Sequence, residues 1–369
     1  MKKVAIVINT SWNIFNFRLR LIKALQAQGM EVFAIAPPDE YSARLEVAGC
    51  RFIPVKMQGS GSNPFHELRV IRKLYEAYKE IQPDVVLHYT IKPNVYGTLA
   101  ARALGIPCIN NVSGLGTVFL NNSTVAKIAR RLYGFAFRFP QKVFFQNKDD
   151  QRLFLRFKLV KPEITEVIPG SGIDTTRFSP NGRIKNTSFT FLVLSRLLYD
   201  KGIAEYVEAA GILKRKGIKA RFQLMGAPDP GHRRGISLAV IDSWKEKGCV
   251  EYLGTTDDVL PYIRHADCVV LPSYREGTPR SLLEAASAGK PIVTTDVPGC
   301  NNIVQDEVNG YLCKAKDALD LADKMERMYQ LDSHHREELG RKSRQIAVEK
   351  FDEKIVIDRY LQAIEEITR

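Results

Sequence analysis

The run Tyr274-Arg275-Glu276-Gly277-Thr278-Pro279-Arg280-Ser281-Leu282-Leu283-Glu284-Ala285 sets two carboxylates eight positions apart across a turn and a helix start. Gly277 permits close backbone approach. Pro279 presets a first helical turn whose N–H groups are unpaired. Those amides, with the helix dipole, favour a phosphate. Glu284 falls about one and a half turns into the helix, placed to accept hydrogen bonds from neutral hydroxyls. Glu276, in the loop ahead, is placed to face another part of the same ligand. The arrangement suits a diphosphate-linked sugar. On spacing alone it fits equally a loop-to-helix junction with a capping residue and a solvated glutamate.

Working upstream, the same half of the chain alternates short apolar runs with amphipathic stretches, the pattern of a parallel sheet wrapped by helices. Strands are expected at Thr190–Leu194, Arg221–Met225, Val250–Leu253, Cys268–Leu271 and Ile292–Thr294. Arg196 and Lys201 stand five residues apart around the first of these strand ends, where open α/β sheets place ligands. Two fixed cations there would offset a diphosphate and stabilise a departing nucleotide. Without the downstream glutamates they read equally as a surface arginine and a helix-starting lysine.

The first half repeats the style. Strands are expected at Val4–Asn9, Glu31–Ala36, Phe52–Val55, Val85–His88, Cys108–Asn111, Val143–Gln146 and Glu166–Ile168. Helices are expected at Phe17–Gln28, Pro64–Ile81, Asn94–Leu104 and Thr124–Phe139. The turn formers of Pro169–Pro180 mark a boundary. The closing stretch Phe351–Ile367 reads as an amphipathic helix. A chain of 369 residues exceeds one ordinary core, so two domains of about 180 residues are the natural prior.

Composition narrows the class. Hydrophobic content of 45% and charged content of 26% are those of a globular protein, and no run approaches the ~18 apolar residues of a membrane span. The apolar start reads as a buried first strand, since it passes into Asn9-Thr10-Ser11 without a small-residue cleavage site. Six dispersed cysteines with no C-x-x-C pair favour a reducing cytosol and form no metal-ligand cluster. No G-x-G-x-x-G follows the first strand. Gly114-Leu115-Gly116 lacks the third glycine and the acidic partner, which disfavours a dinucleotide-dependent oxidoreductase.

Ser273–Pro298 resembles the E-x7-E signature of retaining glycosyltransferases of family four. Ser195-Arg196-Leu197 with Lys201-Gly202, Leu224-Met225-Gly226 and Tyr252-Leu253-Gly254 fit that family's pattern in order. His88-Tyr89-Thr90-Ile91-Lys92-Pro93-Asn94 and Asn110-Asn111-Val112-Ser113-Gly114-Leu115-Gly116 resemble bacterial enzymes that extend lipid-linked oligosaccharides, often with an N-acetylhexosamine. The resemblance implies an α/β GT-B fold, two Rossmann-like doubly wound parallel-sheet domains facing a central cleft. Residues 1–172 would bind the acceptor, together with a helix at 352–369 crossing back to them. Residues 173–351 would bind the nucleotide sugar.

The resemblance also implies roles. Glu284 would bind the ribose hydroxyls, Glu276 would lie against the donor sugar, and Arg196 and Lys201 would hold the diphosphate. The backbone of Gly277, Thr278, Pro279, Arg280 and Ser281 would lie near that diphosphate, with Gly226, Tyr252 and Leu253 around the nucleotide. Many family members carry a histidine in the turn after the fifth strand. Asn110–Gly114 has none. His88, one strand earlier, then reads either as a group orienting acceptor or sugar, or as a hydrogen-bonded structural residue. Asn13, Arg18, Lys92 and Gly114 are the candidates for acceptor contacts. Asn13 and Arg18 read equally as a turn former and a helix-surface cation.

The implied reaction moves a sugar from a UDP-linked donor to a polyprenyl-diphosphate-linked saccharide with retention, without a cofactor or required metal. Capsule, O-antigen or glycan assembly is its setting. A non-hydrolysing UDP-sugar epimerase and a non-catalytic nucleotide-sugar-binding scaffold remain as alternatives.

Charge adds a partner. Residues 1–185 carry 27 Lys and Arg against 13 Asp and Glu, while residues 186–369 carry 27 against 28. Thr124–Lys161 alone holds ten cations against Asp149 and Asp150, interleaved with Val125, Ile128, Leu132, Tyr133, Phe135, Phe137 and Phe139. Such a segment suits an anionic inner-leaflet surface or, read plainly, a core-facing stripe with a solvated basic face. No nucleic-acid module accompanies it. The expectation is a cytoplasmic enzyme, peripheral on the inner face of the membrane. The sequence sets no oligomeric state.

Overall fold

A computed structural model describes residues 1–57, 64–115, 124–180 and 187–369. They form two compact units, Met1–Ser171 with Lys354–Arg369, and Gly172–Glu353. The motif residue Gly116 lies outside the described residues.

The first unit is a seven-stranded sheet of β1 (Lys3–Val7), β2 (Glu31–Ala36), β3 (Arg51–Pro54), β4 (Val85–Tyr89), β5 (Cys108–Val112), β6 (Lys142–Phe145) and β7 (Thr165–Val167). The order is β3-β2-β1-β4-β5-β6-β7, with every pairing parallel. The strands read as unbroken apolar runs because both faces are covered. Val4 and Ile6 pack against Leu21, Ile22 and Leu25 of the helix Ser11–Ala27. Ala5 and Val7 face the other way, onto Leu74 and Tyr78 of the helix Pro64–Ile81. The closing helix Glu353–Ile367 packs Val356, Tyr360 and Ile364 on the first of these faces. Tyr360 meets Phe144 edge-on at 4.9 Å, and its hydroxyl accepts from Asn111 Nδ2 at 2.9 Å.

The second unit has six strands, β8 (Phe189–Leu194), β9 (Ala220–Met225), β10 (Glu251–Tyr252), β11 (Cys268–Leu271), β12 (Ile292–Thr295) and β13 (Gly310–Cys313). They are parallel in the order β10-β9-β8-β11-β12-β13. Phe191 and Val193 face Tyr206 and Leu213 of the helix Ile203–Arg215, and Leu192 and Leu194 face Leu282 and Leu283 of the helix Arg280–Ser287. In each sheet the order reverses, between β1 and β4 and between β8 and β11. Ligands of open α/β sheets sit outside the carboxyl ends at such points.

Two differences from expectation stand out. The helix expected at Phe17–Gln28 starts earlier, at Ser11, because Thr10 Oγ1 caps it by accepting from the Asn13 N–H at 3.2 Å and Ser11 Oγ donates to the Pro37 carbonyl at 2.8 Å. The edge strand β13 was not foreseen. Gly310-Tyr311-Leu312-Cys313 is too short to carry a periodic signal, and it is recruited by pairing with β12. Among the described residues no helix is long and apolar enough to cross a membrane.

Candidate active site

At the carboxyl edge of the second sheet the chain brings the sequence candidates into one neighbourhood. Arg196 follows β8, and Lys201 closes a short helical turn, Tyr199–Lys201, before the helix Ile203–Arg215. The Lys201 ammonium forms a half-buried ion pair with Glu276 Oε1, in the loop after β11. Arg196 is 61% exposed and lies 3.5 Å from Asp229. Pro279 is the residue before the helix Arg280–Ser287, and its carbonyl accepts from the Leu282 and Leu283 N–H groups. Arg280 and Ser281 open the first turn of that helix, the positive end of its dipole.

Glu284 sits one turn in, its side chain 13% exposed, with Oε1 3.1 Å from Arg280 Nε. Burial pushes its carboxyl above the usual range, and Arg280 offsets only part of that. A buried carboxylate bonded to Arg280 through Oε1, with Arg177 adding a weaker pull, retains acceptor capacity suited to hydroxyl donors.

Gly226 follows β9 with φ 152, and a Cβ there would lie 1.7 Å from the Ser195 carbonyl oxygen. The close approach of the two strand ends depends on its hydrogen. Tyr252 does not present its ring tip outward. Its hydroxyl donates to the Gly226 carbonyl at 3.0 Å, and Leu253 N–H donates to Leu224 at 2.9 Å. These two residues shape the strand ends.

At the carboxyl edge of the first sheet the candidates behave differently. His88 is fully buried. Its Nδ1–H donates to Asn110 Oδ1 at 2.9 Å, which leaves Nε2 to accept from the Tyr78 hydroxyl at 2.9 Å. Burial pushes its pKa down from 6.5 to about 4, against the Asn110 bond. Both nitrogens are spent inside the fold. The expectation of a direct catalytic His88 therefore gives way to the hydrogen-bonded structural reading. Lys92 is likewise committed, to Glu67 Oε1 at 2.7 Å in a half-buried pair. Arg18 is no helix-surface cation, being 5% exposed with its guanidinium 4.2 Å over the Tyr89 ring. Asn13 lies half-buried in the first turn of its helix. Gly114 follows β5 at φ 116.

The sequence of residues 174–346 matches the family described as glycosyl transferases group 1, and residues 3–147 match glycosyl transferase 4-like. Over 100% of its length, and 99% of the relative's, the chain is 31% identical to N,N'-diacetylbacillosaminyl-diphospho-undecaprenol alpha-1,3-N-acetylgalactosaminyltransferase of Campylobacter jejuni. This chain belongs to the group 1 glycosyltransferases. It is also 25% identical to the UDP-Gal:alpha-D-GlcNAc-diphosphoundecaprenol alpha-1,3-galactosyltransferase of Escherichia coli, over 68% of this chain and 67% of that one. The structure of Anabaena Alr3699/HepE in complex with UDP-glucose superposes with a TM-score of 0.81 at 18% identity, covering 99% of this chain and 100% of that one. The likeness shows the fold, the paired parallel-sheet domains of GT-B glycosyltransferases.

Several residues that shape this glycosyltransferase's site carried no sequence signal. The Pro298 carbonyl accepts from the Glu276 N–H at 3.1 Å. Gly299, at φ 88, packs so closely that a Cβ would lie 2.6 Å from the Glu276 carbonyl oxygen. Tyr274 donates its hydroxyl to Glu205, and its N–H to the Asp200 carbonyl at 3.0 Å. Asp200 in turn holds Arg234 at 3.0 Å. Among the described residues, one group brings three ligand-type side chains together, Asp332, His334 and His335, all exposed around the start of the helix Ser333–Phe351.

The basic segment resolves into an inner and an outer face. In the helix Thr124–Ala136, Tyr133 and Ala136 are buried and Phe137 follows them inward, while Ile128, Leu132 and Phe135 are exposed at helical spacing. Exposed Phe157 lies beside them under the Arg130 guanidinium, 4.9 Å away. Arg131, Arg138 and Lys158 border the same groove.

Proposed function

We propose that this chain is a retaining, family-four glycosyltransferase that moves an N-acetylhexosamine from a UDP-sugar to a polyprenyl-diphosphate-linked saccharide, in bacterial surface-polysaccharide or glycan assembly. The observation that carries the reading is the constellation at the carboxyl edge of the second sheet. Arg196, Lys201 and the N-terminal dipole of the helix Arg280–Ser287 supply the positive field for a diphosphate. Glu284 supplies acceptors for ribose hydroxyls, and Glu276 faces the donor sugar. The first unit takes the acceptor. The names of the Campylobacter jejuni and Escherichia coli relatives, both with lipid-diphosphate-linked acceptors, support that assignment.

In this mechanism the acceptor hydroxyl attacks the anomeric carbon from the face the nucleotide leaves. The carbon–oxygen bond to the diphosphate breaks, the bond to the acceptor oxygen forms, and the acceptor proton passes to the departing diphosphate. Arg196, Lys201 and the helix amides stabilise the charge that develops there, the work a metal does elsewhere. The exposed stripe Ile128, Leu132, Phe135 and Phe157, set among cations, suits docking on the anionic inner leaflet where such an acceptor resides.

The test is a thermal-shift screen of nucleotide sugars, since a ligand that binds only the folded state raises the melting temperature by mass action. The stabilising donor is then incubated with and without a short-chain prenyl-diphosphate saccharide. Transfer that needs the acceptor and preserves the anomer supports the reading. Conversion of the donor alone would make the chain an epimerase. Binding without any turnover would make it a scaffold.

A further inference from the structure

The carboxyl edge of the first sheet carries polar groups that the fold leaves unmet. Register sets Val7 beside His88 and Tyr89 beside Asn111, so β1, β4 and β5 end side by side, with neighbouring strands about 4.8 Å apart. Asn9 follows β1 and Thr90 follows β4. Asn94 sits one turn on, its N–H donating to the Thr90 carbonyl at 3.1 Å and its Nδ2 to the Asn111 carbonyl at 2.8 Å. Asn9 Oδ1, Thr90 Oγ1, Asn94 Oδ1 and Arg18 Nε are buried without a hydrogen-bond partner. Asn94 is 1% exposed and Arg18 5%. Buried polar atoms are nearly always paired, so four on one sheet edge require a reason.

The backbone marks the same place independently. Thr90 adopts φ 65, a left-handed conformation that a β-branched residue rarely accepts. The turn after it, Pro93–Gly97, is π-helical. Both features concentrate where a fold is held for function. The network that seals His88 also fixes Asn94, since Thr98 Oγ1 donates to the Asn94 carbonyl at 2.7 Å and Asn110 Nδ2 to the same carbonyl at 3.2 Å.

We propose that Asn9, Thr90, Asn94 and Arg18 form a subsite for the acceptor's terminal sugar ring, as distinct from its diphosphate. The proposal rests on the reading of the chain as a transferase to lipid-linked saccharides. Two carboxamide oxygens need donors, the Thr90 hydroxyl works either way, and the guanidinium needs an acceptor. A sugar answers that set: its hydroxyls or acetamido N–H donate to the asparagines, and an acetamido carbonyl or ring hydroxyl accepts from Arg18. A phosphate offers only acceptors and would meet the two amide oxygens unprotonated.

The experiment uses the full chain, a short-chain prenyl-diphosphate N-acetylhexosamine as acceptor, and the sugar-free prenyl diphosphate as competitor. Asn9→Ala and Thr90→Gly should each raise the acceptor KM about tenfold or more, the scale on which a site punishes a lost hydrogen bond. UDP affinity and inhibition by the sugar-free competitor should not move. Thr90→Gly should melt at or above the parent temperature, because glycine accepts φ 65 and removes the unpaired hydroxyl. An unchanged KM would overturn the proposal and assign these groups to solvent. A parallel loss of affinity for the sugar-free diphosphate would overturn it in favour of a phosphate site. A large fall in melting temperature for Thr90→Gly would make Thr90 structural. Should the parent transfer to no lipid-linked acceptor, the functional reading fails, and the subsite is then judged by binding alone. The parent must prefer the sugar-bearing diphosphate to the sugar-free one, and both variants must erase that preference.

Discussion

Lys201 and Glu276, 75 residues apart in the chain, close a half-buried ion pair between the loops that follow β8 and β11. The pair means that an arriving diphosphate must take Lys201 from a carboxylate already holding it. Lys201→Ala should therefore weaken UDP binding about tenfold or more, a charge-assisted contact being worth at least ~1.4 kcal/mol. Glu276→Gln frees the ammonium and should leave UDP affinity unchanged or higher, while turnover of the sugar donor falls roughly 10²-fold. Calorimetry with UDP and a transfer assay separate the two effects. Equal losses of UDP affinity in both variants would show that Glu276 does not compete for Lys201.

Glu284 gives a stability signature. Its carboxyl is pushed up by burial, so the folded state favours the protonated form. The sign follows: that contribution is fully present below the ordinary glutamate value of about 4.3 and is lost as pH rises through the raised native value. Glu284→Gln should then melt higher than the parent at pH 7, with the gap closing as pH falls toward 4. Glu284→Ala should weaken nucleotide-sugar binding about 10²-fold, near 3 kcal/mol. Melting curves across pH and donor titrations check both. An unchanged donor affinity would remove Glu284 from the ribose.

The parallel sheets were legible because buried strands write themselves as apolar runs. β2 and β11 coincide with the runs Glu31–Ala36 and Cys268–Leu271. The positions of Arg196 and Lys201 after β8, and of Glu276 and Glu284 on either side of a helix start, were legible because strand ends and helix starts carry local signatures. What the sequence hid is tertiary. Nothing local says that Tyr78 and Asn110 will close over both nitrogens of His88, that Glu67 will claim Lys92, or that Gly299 will abut Glu276. The helix start at Ser11 was missed for a different reason. Ser-Trp-Asn is a weak helix former, and the Thr10 cap outweighed propensity.

Outward-facing Ile128, Leu132 and Phe135 predict membrane docking that depends on both apolar surface and charge. The protein should sediment with anionic liposomes at low salt, release as salt rises, and ignore neutral vesicles. Replacing Leu132 and Phe135 by serine should weaken that binding by more than any single Arg131→Gln change. These residues are exposed, so melting temperature should hold. Absence of sedimentation at low salt would reject the inner-leaflet assignment.

His88 predicts how the first sheet fails in acid. Its pKa is held near 4 in the fold against an ordinary 6.5, so the unfolded chain takes up a proton at a pH where the native chain refuses it. The stability due to neutral His88 is complete above pH 6.5 and drains away as pH falls toward 4. The whole difference is about 3 kcal/mol. His88→Gln has no such proton to take up. The parent's advantage in denaturant midpoint over this variant should therefore shrink steadily across that window and level off below it. In the same window the parent's transfer rate, measured where it is still folded, should show no inflection that the variant abolishes, because a sealed imidazole exchanges no proton with substrate. An inflection near pH 6.5 that disappears with His88→Gln would restore it to the chemistry.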